Sequence, residues 1–144
     1  MTLVLGIGNP FRRDDGVGEY VISHLNKRVD LKAMIINGDL SRLVDFIEGY
    51  SLVIIIDAFE NTDCKSRVLK WNYSEEAPPS DWIQYSTHGI GLAEALELAQ
   101  VLGKIPKKII IYGIKGEDFS HGQGLSANVL ESAKLVIKEI EKQL

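Results

Sequence analysis

The stretch LVIIIDAF, residues 52–59, contains five consecutive apolar residues followed by an aspartate. An apolar run without polar alternation is typical of a strand covered on both faces, as in the parallel sheets of α/β proteins. Asp57 comes directly after this run. The stretch therefore predicts an α/β fold and places a carboxylate at the end of a central strand.

The segments on either side of this stretch predict further strands and helices. Three more apolar runs predict buried strands, and one alternating segment predicts a strand exposed on one face; these are residues 2–8, 33–37, 108–114 and 67–73. Apolar residues at helical spacing predict four helices, over residues 16 to about 28, 41–49, 88–102 and 126–144. The order βαβαββαβα predicts an α/β three-layer sandwich with a largely parallel central sheet flanked by helices.

Composition limits the classes of protein to which the chain can belong. We expect a single globular domain over residues 1–144, with 45% hydrophobic and 25% charged residues. A formal net charge of −4 with mixed signs argues against a nucleic-acid-binding surface. The lone Cys64 and the lack of a signal peptide or membrane-length apolar run predict a cytoplasmic protein without membrane insertion.

Four polar residues follow predicted strands and are candidates for a common site. Asp14 and Asp15 come after the first strand, Asp57 closes the third, and His88 opens the helix after a Pro-Pro loop. Ligand sites of α/β sheets lie at the carboxyl ends of the strands, so these side chains are expected to meet. Two carboxylates and an imidazole suit nickel or zinc better than magnesium.

Each of these residues also has a purely structural interpretation. Asp14 and Asp15 fit the N-cap and first turn of a helix, where the macrodipole stabilises negative charge. Asp57 could accept hydrogen bonds from a loop backbone, and His88 could be a partly buried histidine at a helix start. Only the joint placement of the residues favours a site.

Other features carry weaker signals. Gly6 and Gly8 resemble the start of a dinucleotide-binding loop, but Phe11 stands where that fingerprint requires its third glycine. We interpret the glycines as permitting a tight turn and close helix packing. Cys64 has no evident base beside it, and no partner can be assigned to His121.

Four blocks of sequence, taken together, are similar to a known family. The blocks GIGNPFRRDDGVG, IIIDAF, STHGIGLAEAL and YGIKGEDFSHGQGLSANV resemble, in order and spacing, the nickel-iron hydrogenase maturation proteases. The resemblance implies a phosphorylase/hydrolase-like α/β fold. It also implies an endopeptidase that removes the C-terminal extension from a hydrogenase large-subunit precursor after nickel insertion.

The resemblance also implies roles for individual residues. The metal-binding positions of the family fall on Asp15, Asp57 and His88, and many relatives carry glutamate at the first of them. The nickel would come with the precursor, although another divalent transition metal could occupy the same site. Catalysis would use Lewis-acid activation with Asp14 or one of the ligands as general base. An acid pair sharing one proton, as in aspartic peptidases, remains the alternative chemistry.

The expected partner is the nickel-loaded large-subunit precursor, and we expect the protein to act on it as a monomer. Segments 74–87 and 115–124 lead into the proposed site, so we predict that they contact the precursor. Relatives commonly carry an acidic residue before the glycine after the second strand, where this chain has Asn37 followed by Gly38. A non-proteolytic nickel-binding accessory protein for hydrogenase assembly remains the alternative function.

Overall fold

The computed structural model describes residues 1–27, 29–60, 63–79, 82, 86 and 88–144. Its strands are β1 (Thr2–Ile7), β2 (Leu31–Ile36), β3 (Leu52–Phe59), β4 (Val68–Asn72) and β5 (Lys108–Lys115). Its α-helices are α1 (Val17–His24), α2 (Leu43–Ile47), α3 (Gly89–Val101) and α4 (Ala127–Gln143). A 3-10 turn, Arg13–Gly16, precedes α1. The predicted order of strands and helices is confirmed.

The five strands form one sheet in the order β2-β1-β3-β5-β4. The pairs β1/β2, β1/β3 and β3/β5 are parallel, and only β4 at one edge runs antiparallel to β5. In β3, residues 53–59 are all buried, as the apolar run predicted. The largely parallel sheet is therefore confirmed, with β3 in its middle.

Helices cover both faces of the sheet and complete three layers. The core between the sheet and helices α1 and α4 is built from aliphatic side chains, among them Val21, Ile56 and Val136. The opposite core includes residues of α2 and α3 and a pair of tryptophans, Trp71 and Trp82, with ring centroids 4.9 Å apart. Among the described residues, no helix is both long and apolar enough to cross a bilayer.

Two glycine contacts bring β1, the following turn and α1 close together. A Cβ on Gly6 would lie 2.8 Å from the carbonyl carbon of Gly18, so the strand and helix touch backbone to backbone. Gly8 has a φ of +142°, and a Cβ there would lie 2.0 Å from the carbonyl oxygen of Asp15. The interpretation of these glycines as packing and turn residues is confirmed, and it places Asp15 beside the end of β1.

The structure corrects two local predictions, the end of α1 and the position of Asp57 in β3, and shows one unexpected contact at the start of α4. Helix α1 ends at His24, not near Arg28, because Leu25 takes an extended conformation with ψ of 142° and stays buried; Arg28 itself lies outside the described residues. Asp57 does not close β3, since the strand continues to Phe59. Ser126 is the N-cap residue of α4, but its hydroxyl donates to Asp14 instead of accepting from the helix backbone.

Candidate functional site

Asp15 lies in the 3-10 turn after β1 and is almost completely buried, with 2% of its surface exposed. Its Oδ2 accepts a hydrogen bond of 2.8 Å from the backbone N–H of Asn9. Its Oδ1 is also buried and has no hydrogen-bond partner among the described residues. Burial raises the pKa of Asp15, while the Asn9 N–H and the charge of His88 act in the opposite direction.

Asp57 and His88 form a hydrogen-bonded pair at the carboxyl edge of the sheet. Asp57 is fully buried, and its Oδ1 lies 3.3 Å from Nδ1 of His88. Its Oδ2 accepts a hydrogen bond from the Ser86 hydroxyl. The oxygen of that hydroxyl in turn accepts a hydrogen bond of 3.2 Å from the backbone N–H of His88. The hydrogen bond with Asp57 raises the pKa of His88, against the opposing effect of burial. His88 is thereby held by side chain and backbone.

Helix α3 gives His88 its position. His88 is the N-cap residue of α3, and its carbonyl accepts the first helical hydrogen bond from Leu92 at 2.9 Å. Only 11% of the His88 side chain is exposed. Side chains alternate along a strand, so Asp57 points to the face of the sheet that holds Ile55 and Phe59. That face is the one covered by α3, which explains why the two residues meet.

The charges of Asp15, Asp57 and His88 influence one another, as expected for one site. The charge of His88 lowers the pKa of Asp15 and that of Asp57 raises it, after the larger effects of burial and Asn9. Arg12 lies close enough to lower the pKa of both Asp15 and His88, and its Nε donates to the carbonyl of Phe119 at 3.2 Å. The structure therefore brings together three of the four predicted residues and adds a guanidinium.

Asp14 serves a different part of the molecule. It is fully buried, and its carboxylate accepts hydrogen bonds of 2.8 Å from the backbone N–H groups of Glu117, Asp118 and Ser126. It also accepts one of 2.7 Å from the Ser126 hydroxyl. Both oxygens of Asp14 are thus engaged in holding segment 116–126 and the start of α4 against the turn that carries Asp15.

Sequence reasoning did not identify Ser86 or Arg12 as parts of the site. Ser86 stands two residues before His88, a spacing at which a hydroxyl commonly bonds a backbone N–H. That local signal could have identified Ser86. Arg12 belongs to the first block of the resemblance, but its approach to the site depends on the carbonyl of Phe119, which is 107 residues away in the chain. No local pattern reveals such a contact.

The remaining candidate residues lie apart from this cluster. Cys64 is buried, and its thiol donates to the carbonyl of Ser66 at 3.4 Å. His121 is exposed. Of the predicted contact segment 74–87, the structure describes only residues 74–79, 82 and 86, so the other positions lie outside the described residues.

The predicted metal ligands are not arranged as a ready-made metal site. Within the described ranges, no group of three or more His, Cys, Asp and Glu side chains is placed to hold a metal ion. The donor set itself fits a borderline transition metal, since it offers carboxylate oxygen and imidazole nitrogen. The unpartnered buried Oδ1 of Asp15 is the kind of atom that a cation would satisfy. Metal binding therefore stays a prediction.

Fold and site together define a class of protein: an α/β protein with a buried acid–histidine cluster at the carboxyl edge of its sheet. A sequence profile of the hydrogenase maturation protease family matches residues 19–143. Because this match covers most of the chain, the chain belongs to the hydrogenase maturation protease family, as the resemblance indicated. The matched range includes Asp57 and His88 and begins four residues after Asp15.

Individual relatives are similar over most of the chain. Hydrogenase 2 maturation protease of Escherichia coli (strain K12) is 28% identical over 131 residues, which are 88% of this chain and 80% of that protein. Hydrogenase expression/formation protein HoxM of Cupriavidus necator is 26% identical over 141 residues, 92% of this chain and 68% of that protein.

Solved structures with a similar fold include two maturation proteases. The hydrogenase maturating endopeptidase HybD from Escherichia coli has a TM-score of 0.80 at 20% identity and covers 96% of this chain and 88% of its own. The NiFe hydrogenase maturation protease HybD from Thermococcus kodakarensis has a TM-score of 0.77 at 22% identity, covering 99% and 97%. At these identities the likeness establishes the fold.

Proposed function

We propose that this protein is an endopeptidase that removes the C-terminal extension of a nickel-iron hydrogenase large-subunit precursor after nickel has been inserted. The observation that carries the proposal is the buried, unpartnered Oδ1 of Asp15 beside the hydrogen-bonded pair of Asp57 and His88. Membership of the maturation protease family supports the reaction class. The nickel belongs to the substrate, and the three side chains recognise it there.

The side chains have the atoms needed to contact such a metal. In the neutral tautomer of His88 with the proton on Nδ1, this N–H donates a hydrogen bond to Asp57. The lone pair of Nε2 is then available to bind the metal. No described residue forms a hydrogen bond with Nε2. A carboxylate offers about four lone-pair positions. Asp57 can therefore hold Ser86 and His88 and still contact the nickel, while Asp15 supplies its unpartnered oxygen.

Hydrolysis needs a group that accepts a proton from the attacking water. Asp14 has both oxygens occupied by four donors, which favours a positioning role over the role of general base. The base is therefore a carboxylate of the cluster, Asp15 or Asp57, within reach of the scissile bond next to the nickel. The positive charge of Arg12 compensates part of the negative charge that the two carboxylates concentrate there.

The proposed cleavage makes the large-subunit precursor the binding partner of this protein. Segment 116–126 is fixed beside the site through Asp14, so it supplies a rigid surface for the large subunit. We place the reaction in the cytoplasm, with one monomer of this protein acting on one precursor.

The proposal is tested by the mass of the product. The purified protein is incubated with a nickel-loaded large-subunit precursor from the same organism. Intact-mass spectrometry then measures the mass of the precursor before and after incubation. We expect loss of one defined C-terminal peptide with wild type and with His24→Ala, an exposed histidine stacked on Tyr20. His88→Ala should leave the precursor uncut. A complex with wild type that shows no change of mass would refute proteolysis.

A further inference from the structure

A groove of about 510 Å³ opens directly beside His88. One wall is the turn after β2, residues 38–41, and the other is the outer face of α3. Apolar side chains line its base, among them Leu40, Val44 and Ala95. At the turn, Gly38 has a φ of +93°, and a Cβ at this position would meet no atom within 4 Å. No side chain therefore projects from this position of the wall.

Two exposed carboxylates face the groove from opposite walls. Asp39 stands on the turn and Glu94 on α3, and both line the groove. The Ser41 backbone N–H, 2.9 Å from Oδ1 of Asp39, lowers the pKa of that carboxyl and keeps it ionised. Arg42 lies near Asp39, but it is outside the groove lining, where it stacks 5.6 Å from the Phe46 ring. Among the described lining residues, His88 is the only basic side chain.

The groove lining ends at Leu98, and the same face of α3 continues beyond it as a stripe that reaches Leu102. Its members follow at spacings of three or four residues: His88, Gly91, Ala95, Leu98 and Leu102. Leu98 and Leu102 are large apolar side chains with about half of their surface exposed, 48% and 53%. At about 1.5 Å per residue, the stripe is roughly 21 Å long, the span of about six residues of extended chain.

We infer that this groove binds the C-terminal extension of the precursor in an extended conformation, with a lysine or arginine of the extension between Asp39 and Glu94. The inference rests on the proposed function and adds the substrate segment that the site requires. The groove begins at His88, so a segment of chain bound in it would lead away from the proposed site of cleavage. Its carboxylates select a basic side chain, and its apolar base takes an apolar one near Leu98.

A charge reversal in the groove tests this assignment. Glu94→Lys is compared with Glu97→Lys, which lies on the same helix but lines a separate cavity with Tyr73 and Gln100. With the nickel-loaded precursor, Glu94→Lys should raise KM about tenfold without lowering kcat, because a like charge then faces the basic side chain. The effect should shrink at high salt, and Glu97→Lys should behave as wild type. Changing the basic residue of the extension to glutamate should slow wild type and restore cleavage by Glu94→Lys.

A binding experiment separates this inference from the proteolysis itself. A synthetic peptide with the sequence of the extension is titrated into the wild-type protein and followed by amide chemical shifts. We expect shifts at Gly38, Gly91 and Ala95, and weaker binding to Glu94→Lys. If the precursor is cut while Glu94→Lys and Glu97→Lys have equal KM, the groove assignment is wrong although the protease is real. Self-association of the chain through this face, abolished by Glu94→Lys, would equally overturn it.

Discussion

Asp15 is an unfavourable residue for the stability of the free protein. Its carboxylate is buried with one unpartnered oxygen, and the Asn9 N–H bond and the charges of His88 and Arg12 offset the desolvation cost only in part, since its pKa stays raised. The carboxylate of Asp57 lies close enough to increase that cost. The proposed function explains why a destabilising carboxylate stands here, because the nickel of the precursor would contact it in the complex.

Asp15→Asn should therefore separate stability from activity. The amide keeps the size of the side chain and removes the buried charge, so the free energy of unfolding should stay the same or rise by about 1 kcal/mol. Cleavage of the nickel-loaded precursor should be lost, because the anionic ligand is gone. Urea denaturation and intact-mass assays measure the two quantities. A variant destabilised by more than about 2 kcal/mol that still cuts would contradict this assignment.

Tyr112 gives the fold a dependence on alkaline pH that has nothing to do with the site. Burial raises the pKa of Tyr112 to about 12, with Glu139 contributing and the hydrogen bond from Gln143 opposing. The folded-state pKa exceeds the unfolded value of about 10, so the contribution to stability is complete below pH 10 and is lost as the pH rises towards 12.

The Tyr112→Phe variant checks this sign. At neutral pH it should lose about 1 kcal/mol, because the hydrogen bond from Gln143 is missing. Between about pH 9 and pH 11.5, the free energy of unfolding of wild type should fall by about 2 kcal/mol more than that of the variant. Denaturant titrations at several pH values give both numbers. Equal slopes for the two proteins would show that Tyr112 ionises as it does in the unfolded chain.

At the scale of elements, the 3-10 turn and segment 116–126 behave as one unit. Arg13 adopts a φ of 46°, a conformation that costs a non-glycine residue roughly 1 kcal/mol. Its backbone N–H donates to the carbonyl of Gly122, and that of Asp14 donates to Asp118, both at 3.0 Å. With the side chain of Asp14 these bonds fix the turn, and the turn holds Asp15 at the edge of the sheet.

Asp14→Asn should loosen this unit. An amide group cannot accept on both sides, so backbone N–H groups of Glu117, Asp118 or Ser126 would lose their partner. We expect a loss of about 3 kcal/mol in unfolding free energy and slower cleavage through displacement of Asp15. Ser126→Ala removes only the hydroxyl bond to Asp14 and should cost about 1 kcal/mol.

Hydrogen exchange at the amides of residues 117 and 118 distinguishes this effect from general destabilisation. In Asp14→Asn these two amides should exchange faster than amides in the middle of β3. If Asp14→Asn is no less stable than Ser126→Ala and both amides stay protected, the carboxylate does not hold the segment.

For the molecule as a whole, the sequence predicted the architecture because its strongest patterns are local. The apolar run of residues 52–59 predicts strand β3, and the helical spacing of apolar residues near the C-terminus predicts α4. Neither prediction needs information from another part of the chain. The order of the elements and the parallel-sheet rule then place Asp15, Asp57 and His88 at one edge. The observed hydrogen bond between Asp57 and His88 shows that this rule correctly placed two residues that are far apart in the sequence next to each other.

The parts that the sequence did not predict depend on contacts between remote segments. The four donors to Asp14 come from residues 117–126, and nothing in the pair Asp14–Asp15 shows which aspartate faces them. Whether Leu25 continues α1 depends on the core that it enters, not on its own helical propensity. Such choices are decided by tertiary packing, which overrides local preference.

The proposed function depends above all on the recognition of nickel in the precursor by Asp15, Asp57 and His88. Nickel recognition is best measured as the ratio of kcat/KM for the nickel-loaded precursor to kcat/KM for the nickel-free precursor. Intact-mass spectrometry gives both values for the wild-type protein and for Asp15→Asn. We predict a ratio of about one hundred or more for wild type, since two or more metal contacts are each worth at least one factor of ten. Asp15→Asn should show little cleavage of either form. Equal rates of wild type on the loaded and nickel-free precursors would contradict nickel recognition by these three side chains.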